Sequence, residues 1–175
     1  DNKKIQTDKN IKSFIKYFND ITINSDNVKT VYEWYEVYSN ICNWSINLAD
    51  IEDKNIYNML NDQKKTMNSK FCEFVISNYR KWINNNQEIL DKPILSHNIF
   101  DDYLKPIISK KRKLIFIIID CLRLDQWKMI SKLFKNDFSI KEDFHLSILP
   151  TATPFARNAI FSGLLPNDLK DNYPD

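Results

Sequence analysis

Residues 114–120 read LIFIIID, and this stretch decides the fold class predicted for the second half of the chain. Six apolar residues, Leu114 to Ile119, run without interruption up to one carboxylate, Asp120. A continuous run of β-branched and aromatic residues predicts a strand buried on both faces, as in the centre of a parallel sheet. A helix that spans a bilayer needs about 20 apolar residues, so the sequence predicts no membrane insertion.

Downstream of this strand the pattern alternates between helix and strand. Helical spacing of apolar residues predicts a helix at 124–134, LDQWKMISKLF. One or two strands are predicted at 138–149, FSIKEDFHLSIL. A second helix, ended by Gly163, is predicted at 154–161, PFARNAIF. The resulting β-α-β-α order predicts an α/β domain with a mostly parallel sheet. Since a sheet of this type normally has more strands, we expect residues 113–175 to be the truncated N-terminal part of that domain.

Upstream, the chain has an all-helical pattern. Apolar side chains recur every three or four residues in three segments: residues 8–19, a helix capped by Ser25 or Asp26 and reaching Asn47, and about thirty residues from near Asp53. Each helix alone would leave an aromatic face in water, so the pattern predicts a three-helix bundle over 1–92. Residues 93–112 are expected to form a linker with a short helix at His97–Leu104.

Composition excludes several classes of protein. Lys and Arg number 25 against 23 Asp and Glu, a net charge of +2, which is too balanced for non-specific duplex binding. Three scattered cysteines form no disulfide or metal-binding pattern and favour a reducing compartment. A single glycine, Gly163, rules out glycine-rich nucleotide-binding loops.

Two residues are candidates for chemistry because both follow predicted strands. Asp120 lies at the carboxyl end of its strand, where open α/β sheets bind ligands, although it is equally suited to capping the next helix. Thr153 is predicted to be an N-cap followed by Pro154, and a plain helix cap explains it as well. A metal held by both side chains would activate the hydroxyl of Thr153, which is otherwise a poor nucleophile at neutral pH.

Two motifs in this region resemble a known family. IIIDCLRLDQW at 117–127 and SILPTATPFARNAIFSGLLP at 147–166 are similar to the start of the PglZ domain, a branch of the alkaline phosphatase superfamily. Within it, the match is closest to the PorX-like response regulators of the type IX secretion system. In those proteins a receiver domain precedes a helical bundle and a PglZ domain, so the resemblance implies a response regulator whose receiver lies upstream of Asp1.

The resemblance also implies roles for individual residues. Asp120 matches a zinc ligand, and Thr153, ten residues before Gly163, matches the residue that is both zinc ligand and nucleophile, with Thr151 as the second choice. Ala156 stands where relatives often have an asparagine that binds a phosphate oxygen. We therefore expect Arg157 and Asn158, on the same helix, to bind the substrate.

The superfamily site holds two zinc ions, whose other Asp and His ligands the resemblance places well downstream of Thr153. His97 and His145 match no ligand motif and are expected to be packing or surface residues. The intact parent is then predicted to be the enzyme, and this fragment to be inactive. Arg123 and Asp125 are expected to stabilise a loop, the alternative being that Arg123 grips phosphate.

The first functional hypothesis is a cytoplasmic, zinc-dependent phosphodiesterase that acts on oligonucleotide-type substrates and is controlled by a sensor kinase. The basic run Lys110–Lys113 is then either a solvated linker or an oligonucleotide contact. The alternative is a non-catalytic scaffold, or homodimer, that binds a sigma factor or a secretion-motor subunit. A third hypothesis is that the second half does not fold autonomously, because an open parallel sheet edge favours aggregation.

Overall fold

The computed structural model describes residues 2–84 and 92–174. The chain divides into two units, Asp1–Lys92 with Arg123–Phe138, and Pro93–Leu122 with Ser139–Asp175. The α-helices of the described residues are α1 (Asn2–Asn24), α2 (Val31–Asn47), α3 (Lys54–Ile83), α4 (Lys105–Ser109), α5 (Leu124–Phe134), α6 (Thr153–Ser162) and α7 (Pro166–Asn172). None of them combines the length and the apolar character needed to span a bilayer.

Helices α1, α2 and α3 build the core of the first unit. Phe14, on the apolar stripe that predicts α1, is completely buried and packs with Leu60 of α3. Trp34 of α2 and Met67 of α3 belong to a second buried cluster. The three-helix packing predicted from the apolar periodicity is confirmed, although α1 extends beyond the predicted 8–19 at both ends.

Helix α3 forms where the sequence predicts it. The carboxylate of Asp53 accepts hydrogen bonds from the backbone N–H groups of Asn55 and Ile56, which would otherwise lack partners in the first turn. The helix then runs for 30 residues to Ile83, so the predicted length is also confirmed.

The predicted start of α2 is wrong. Ser25 lies in a 3-10 turn, Ser25–Asn27, and its hydroxyl accepts a hydrogen bond from Lys70, so it does not cap the helix. Thr30 is the N-cap instead: its hydroxyl accepts from the Glu33 N–H, and the Glu33 carboxylate accepts from the Thr30 N–H. This capping box satisfies two backbone donors at once. The backbone N–H groups of Lys29 and Thr30 hold the pKa of Glu33 below its ordinary value.

Helix α5 packs against α2 and is part of the first unit. The ammonium of Lys128 donates to the Ser39 hydroxyl at 2.6 Å, the Ser39 carbonyl at 3.3 Å and the Asn43 side-chain oxygen at 2.8 Å. By sequence this helix is predicted to be part of the second domain, because it follows the predicted strand. The boundaries predicted there, 1–92, 93–112 and 113–175, stay predictions.

The second unit is organised around the completely buried Leu95. Leu95 forms an isolated parallel bridge with Leu146, and the hydroxyl of Ser96 accepts a hydrogen bond from the buried Ile148 N–H. The short helix predicted at His97–Leu104 is found as a 3-10 turn, Ser96–Asn98, and a π-helical turn, Phe100–Leu104, that continues into α4. Helix α6 packs on both turns.

The predicted parallel sheet is not formed within the described residues, which are mostly helical and contain one isolated bridge in place of strands. Ile115, Ile117 and Ile119 are 85%, 72% and 62% exposed, whereas Phe116 and Ile118 are partly buried. A strand buried on both faces is therefore wrong for 114–119 in this structure. Such a strand is stable only with hydrogen-bonding neighbours and covered faces, and the described residues provide neither.

Candidate functional site

Asp120 lies in a turn directly after the apolar segment. The next residue, Cys121, has φ of 62°, so the chain reverses direction sharply at this point. The carboxylate of Asp120 is about half exposed and lies 3.4 Å from the guanidinium of Arg157 on α6. Both residues are candidates by sequence, but their contact is not predicted. Their opposite charges were the only signal, and charge alone does not indicate proximity.

Helix α6 begins at Thr153, one residue earlier than Pro154, the first helical residue predicted from the sequence. Ala152 is the N-cap and makes no side-chain capping bond, so the expectation that Thr153 caps the helix is wrong. The helix starts there because Ala152 has an extended backbone and Pro154 fits the first turn without losing a hydrogen bond. Thr153 is exposed, and its hydroxyl makes no hydrogen bond within the described residues, which leaves it accessible to a ligand.

Helix α6 ends as predicted. Gly163 has φ of 70° and ψ of 14°, the left-handed conformation that closes helices, and its N–H donates to the Ala159 carbonyl.

The spacing along α6 relates Thr153 to the ion pair. Thr153 and Arg157 are four residues apart, so their Cβ atoms lie about 6 Å from each other on one face of the helix. Arg157 contacts Asp120, and the three residues therefore lie within one region. Asn158 is exposed on the neighbouring face of α6 and makes no hydrogen bond within the described residues. Thr151, the second choice for the nucleophile, is exposed and precedes the helix.

Two contacts hold the apolar segment along α6. The ring of Phe116 meets that of Phe161 edge-on, with centroids 5.5 Å apart, and the Asp120–Arg157 pair follows four residues later. On its other side α6 is anchored by Ala156 and Ala159, which are buried. Ala156 is the residue that replaces the expected asparagine, and its methyl group serves packing.

The start of α6 provides few free backbone donors for an anion. Pro154 has no N–H, and the N–H groups of Phe155 and Ala156 both donate to the Ala152 carbonyl at 3.0 Å. The helix dipole still favours a negative charge near Thr153. Because the backbone contributes little, the guanidinium of Arg157 is the main group in this region that can bind a phosphate oxygen.

The described residues do not form a complete zinc site. Zinc in proteins is usually held by four ligands, and Asp120 and Thr153 offer two oxygens. No group of three or more His, Cys, Asp or Glu side chains suited to a metal ion occurs among the described residues. His97 is buried, and burial lowers the pKa of His145. The residues present therefore do not fit a complete zinc centre, and Asp120 has a guanidinium as its neighbour instead.

Arg123 and Asp125 form a bidentate ion pair, with distances of 3.0 and 3.1 Å. The hydrogen bonds from Arg123 hold the pKa of Asp125 below its ordinary value. This geometry agrees with the loop-stabilising role rather than a grip on phosphate. The basic residues Lys110–Lys113 are exposed.

Comparison with known protein families gives two matches in chain order. The model described as the PorX response regulator linker domain matches residues 4–83, which cover α1 to α3. The model described as the BREX system PglZ alkaline phosphatase-like domain matches residues 99–173, which cover Asp120 and α6. A comparison with curated proteins finds none that matches the chain.

Proposed function

Since the chain is a PorX-like PglZ-domain protein, we propose that it belongs to a cytoplasmic response regulator of type IX secretion whose alkaline phosphatase-like domain is a zinc-dependent phosphodiesterase. In this proposal, Thr153 is the nucleophile, Asp120 is a metal ligand, and Arg157 and Asn158 bind the substrate. The further zinc ligands come from residues outside those described. Oligonucleotide-type diesters are the proposed substrates, and a sensor kinase is the proposed upstream partner.

The observation that carries the proposal is the grouping of Asp120, Arg157 and Thr153 at the start of α6. A carboxylate, a guanidinium and a free hydroxyl are the groups that phosphoryl transfer requires for metal binding, oxyanion neutralisation and attack. When bound, the metal would lower the pKa of the threonine hydroxyl. In the proposed reaction the Thr153 oxygen forms a bond to phosphorus and gives up its proton, while the bond to the leaving group breaks and that oxygen takes a proton from water. Water later hydrolyses the bond between phosphorus and Thr153.

The ion pair gives Arg157 a defined part in this scheme. Its guanidinium neutralises Asp120 as a cation would, so a ligand that engages Asp120 or Arg157 must compete with the pair. Both side chains are about half exposed, which makes the pair weak and easily exchanged. Asp120 would hold the metal, and Arg157 would in that case be free to bind a phosphate oxygen.

The test uses the complete protein and bis(nitrophenyl) phosphate. We expect Thr153→Ala to lower kcat by at least about 100-fold, a loss of the size found for an essential catalytic group. Arg157→Gln should mainly raise KM, because binding of the phosphate oxygen is lost. A chelator should abolish activity and zinc should restore it. Thr66→Ala, an exposed threonine of α3, is the control and should keep full activity.

Full activity of Thr153→Ala would remove Thr153 from the mechanism, and loss of activity in Thr151→Ala instead would move the role to Thr151. The alternative is a non-catalytic scaffold that binds a sigma factor or a secretion-motor subunit. The match to a response regulator linker domain at residues 4–83 supports this alternative, since it implies a protein with other domains and partners. A complete protein that contains no metal and has no hydrolase activity would support it.

A further inference from the structure

One face of α6 carries an aromatic ring next to the two residues assigned to chemistry. Thr153, Arg157 and Phe161 follow one another at intervals of four residues. Side chains four residues apart on an α-helix are neighbours, with Cβ atoms about 6 Å apart. A hydroxyl, a guanidinium and an aromatic ring therefore succeed each other along α6, one turn apart, and all three belong to the second unit.

Contacts within this unit confirm that Arg157 and Phe161 lie on the same side of α6. The carboxylate of Asp120 lies 3.4 Å from the guanidinium of Arg157, and the ring of Phe116 lies 5.5 Å from that of Phe161, centroid to centroid. Asp120 and Phe116 come from one short segment of chain. A single segment thus contacts both side chains, so the guanidinium and the ring face the same surroundings.

The ring of Phe161 is accessible to a ligand. Phe161 is 53% exposed, and its ring plane makes an angle of 75° with that of Phe116. A neighbour that contacts a ring edge-on covers at most one of the two ring faces. A single exposed phenylalanine is not unusual on a protein surface. The informative feature is its place, one turn from the guanidinium that is the main phosphate-binding group of the site.

An aromatic ring beside a phosphate-binding group suits a nucleotide. Every nucleobase has a flat π-face, so stacking on an aromatic side chain accepts any base. A nucleotide carries its base one sugar away from its phosphate, and a ring one helical turn from Arg157 is within reach of that base. A phosphodiester without a base would make no use of the ring.

Asn158 adds a polar group beside the same ring. It lies three residues before Phe161, and side chains three apart on a helix are also neighbours. Asn158 is exposed and makes no hydrogen bond within the described residues. Its amide has a donor and an acceptor, the combination that recognises the edge of a nucleobase. A base stacked on Phe161 would therefore have a hydrogen-bonding group at its edge.

Phe155 provides a matched comparison on the same helix. It is 43% exposed, similar to Phe161. However, it lies two residues before Arg157, and side chains two apart on a helix do not face each other. Phe155 is thus an exposed phenylalanine of α6 that is not placed beside the guanidinium.

We propose that Phe161 is a specificity-determining residue: its ring is a stacking platform for the nucleobase next to the phosphate that Arg157 binds, and it makes the site select nucleotide diesters over diesters without a base. The inference rests on the proposed function, because the role of Arg157 in phosphate binding comes from there. It extends that function by naming the group that recognises the base.

Equilibrium binding tests the platform without catalysis. The probe is a dinucleotide of adenosine with a phosphorothioate linkage, which resists hydrolysis, titrated into the complete protein in a calorimeter. We expect Phe161→Leu, which stays apolar but has no π-face, to weaken binding about tenfold. Phe161→Tyr keeps the ring and should bind as the wild type does, and so should the control Phe155→Leu. No binding to the wild type, or unchanged binding to Phe161→Leu, would overturn the proposal.

A tryptophan variant covers the case in which Phe161→Leu does not fold. The four tryptophans of the chain all belong to the first unit, so Phe161→Trp places a reporter in the second. The dinucleotide should quench the added emission because the base stacks on the indole. Phe155→Trp is the control and should show no quenching. Unchanged emission of Phe161→Trp, or equal quenching in both variants, would contradict the proposal.

Kinetics of the complete protein separate this inference from the proposed function. The nitrophenyl ester of thymidine monophosphate and methyl nitrophenyl phosphate release the same nitrophenolate, but only the first carries a base. Phe161→Leu should raise KM for the thymidine ester about tenfold with kcat unchanged, and should leave the methyl ester unaffected.

The two possible failures of this experiment differ. If the wild type hydrolyses both esters and Phe161→Leu has wild-type KM values, the platform is disproved and the hydrolase stands. If the wild type hydrolyses neither ester, the hydrolase is disproved, and the binding measurements still decide whether a base stacks on Phe161.

Discussion

Gln63 lies in the middle of α3 with 2% of its surface exposed, between the two buried clusters of the first unit. Neither its amide oxygen nor its amide nitrogen has a hydrogen-bond partner in the described structure. The hydroxyl of Tyr17 is likewise buried without a partner, and burial raises the pKa of Tyr17 to about 12. Such groups lose their bonds to water on folding and gain nothing in return, so they reduce stability.

We expect Gln63→Met to stabilise the first unit by about 1–3 kcal/mol, because Met has a similar shape and no unsatisfied polar atoms. Urea unfolding followed by tryptophan fluorescence measures the change. Asn68→Met, an exposed substitution on the same helix, is the control and should stay within about 0.5 kcal/mol of the wild type. A less stable Gln63→Met would mean that a bound water satisfies the amide.

Local pattern names single residues of the candidate site but does not settle their roles. The end of an apolar run and a Thr-Pro helix start point to Asp120 and Thr153, whose roles stay predictions, whereas the helix end at Gly163 is confirmed. The ion pair between Asp120 and Arg157 was not predictable. It joins residues 37 positions apart in the chain, and their distance depends on how α6 packs on the turns before α4.

At the scale of elements, periodic apolar stripes predicted α1 to α3 well because each helix hydrogen-bonds within itself. The segment 114–119 shows the opposite case: its composition favours a strand, but a strand exists only with a neighbour, and none is found among the described residues. The packing of α5 on α2 was also missed, since its decisive group, Lys128, resembles any solvated lysine in the sequence.

The end of α6 provides a test at this scale. Gly163 has φ of 70°, and a Cβ added there would lie 3.6 Å from Cβ of Phe100, an ordinary contact. The cost of Gly163→Ala should therefore come from backbone strain alone, about 1–2 kcal/mol. Gly163→Asn should cost less, because Asn tolerates this conformation better. Thermal unfolding of both variants measures the difference, and equal losses would point to a steric cause instead.

At the scale of the whole molecule, the two units contain different titratable and fluorescent groups. The tryptophans, Trp34, Trp44, Trp82 and Trp127, belong to the first unit, and the two histidines, His97 and His145, belong to the second. Burial lowers the pKa of His145 below its ordinary value of 6.5, so its unfolded form binds a proton that the folded form resists. This contribution to stability is complete above pH 6.5 and is lost as pH falls towards the folded pKa.

Three carboxylates with lowered pKa values affect the stability of the fold at lower pH than His145 does. A hydrogen bond from Tyr103 lowers the pKa of Asp143 in the second unit, and hydrogen bonds lower those of Glu33 and Asp125 in the first. Their ordinary values are 3.8 for Asp and 4.5 for Glu, so they stabilise the fold above these values and cease to do so only as pH falls below them. Of these four groups, His145 is the one whose pKa shift affects stability between pH 6.5 and 5.

We expect the second unit to lose stability between pH 7.5 and pH 5 while the first unit keeps its own. Urea unfolding at both pH values, followed by tryptophan emission for the first unit and by histidine proton NMR signals for the second, separates the two. The His145→Asn variant should lose the pH dependence of the second unit. An equal fall of both midpoints, or a pH dependence that persists in His145→Asn, would contradict the assignment.

Because α5 belongs to the first unit, the position at which the gene is cut decides whether the encoded fragments keep that unit whole. A clone ending at Lys92 encodes α1 to α3 but lacks the helix that covers Ser39 and Asn43, so its product carries a bare polar stripe on α2. A clone starting at Pro93 produces α5 without its docking partner and with apolar side chains open on its outer face. A fragment boundary placed between the two family matches therefore divides the first unit. Fragments made at that boundary are poor substitutes for the intact chain.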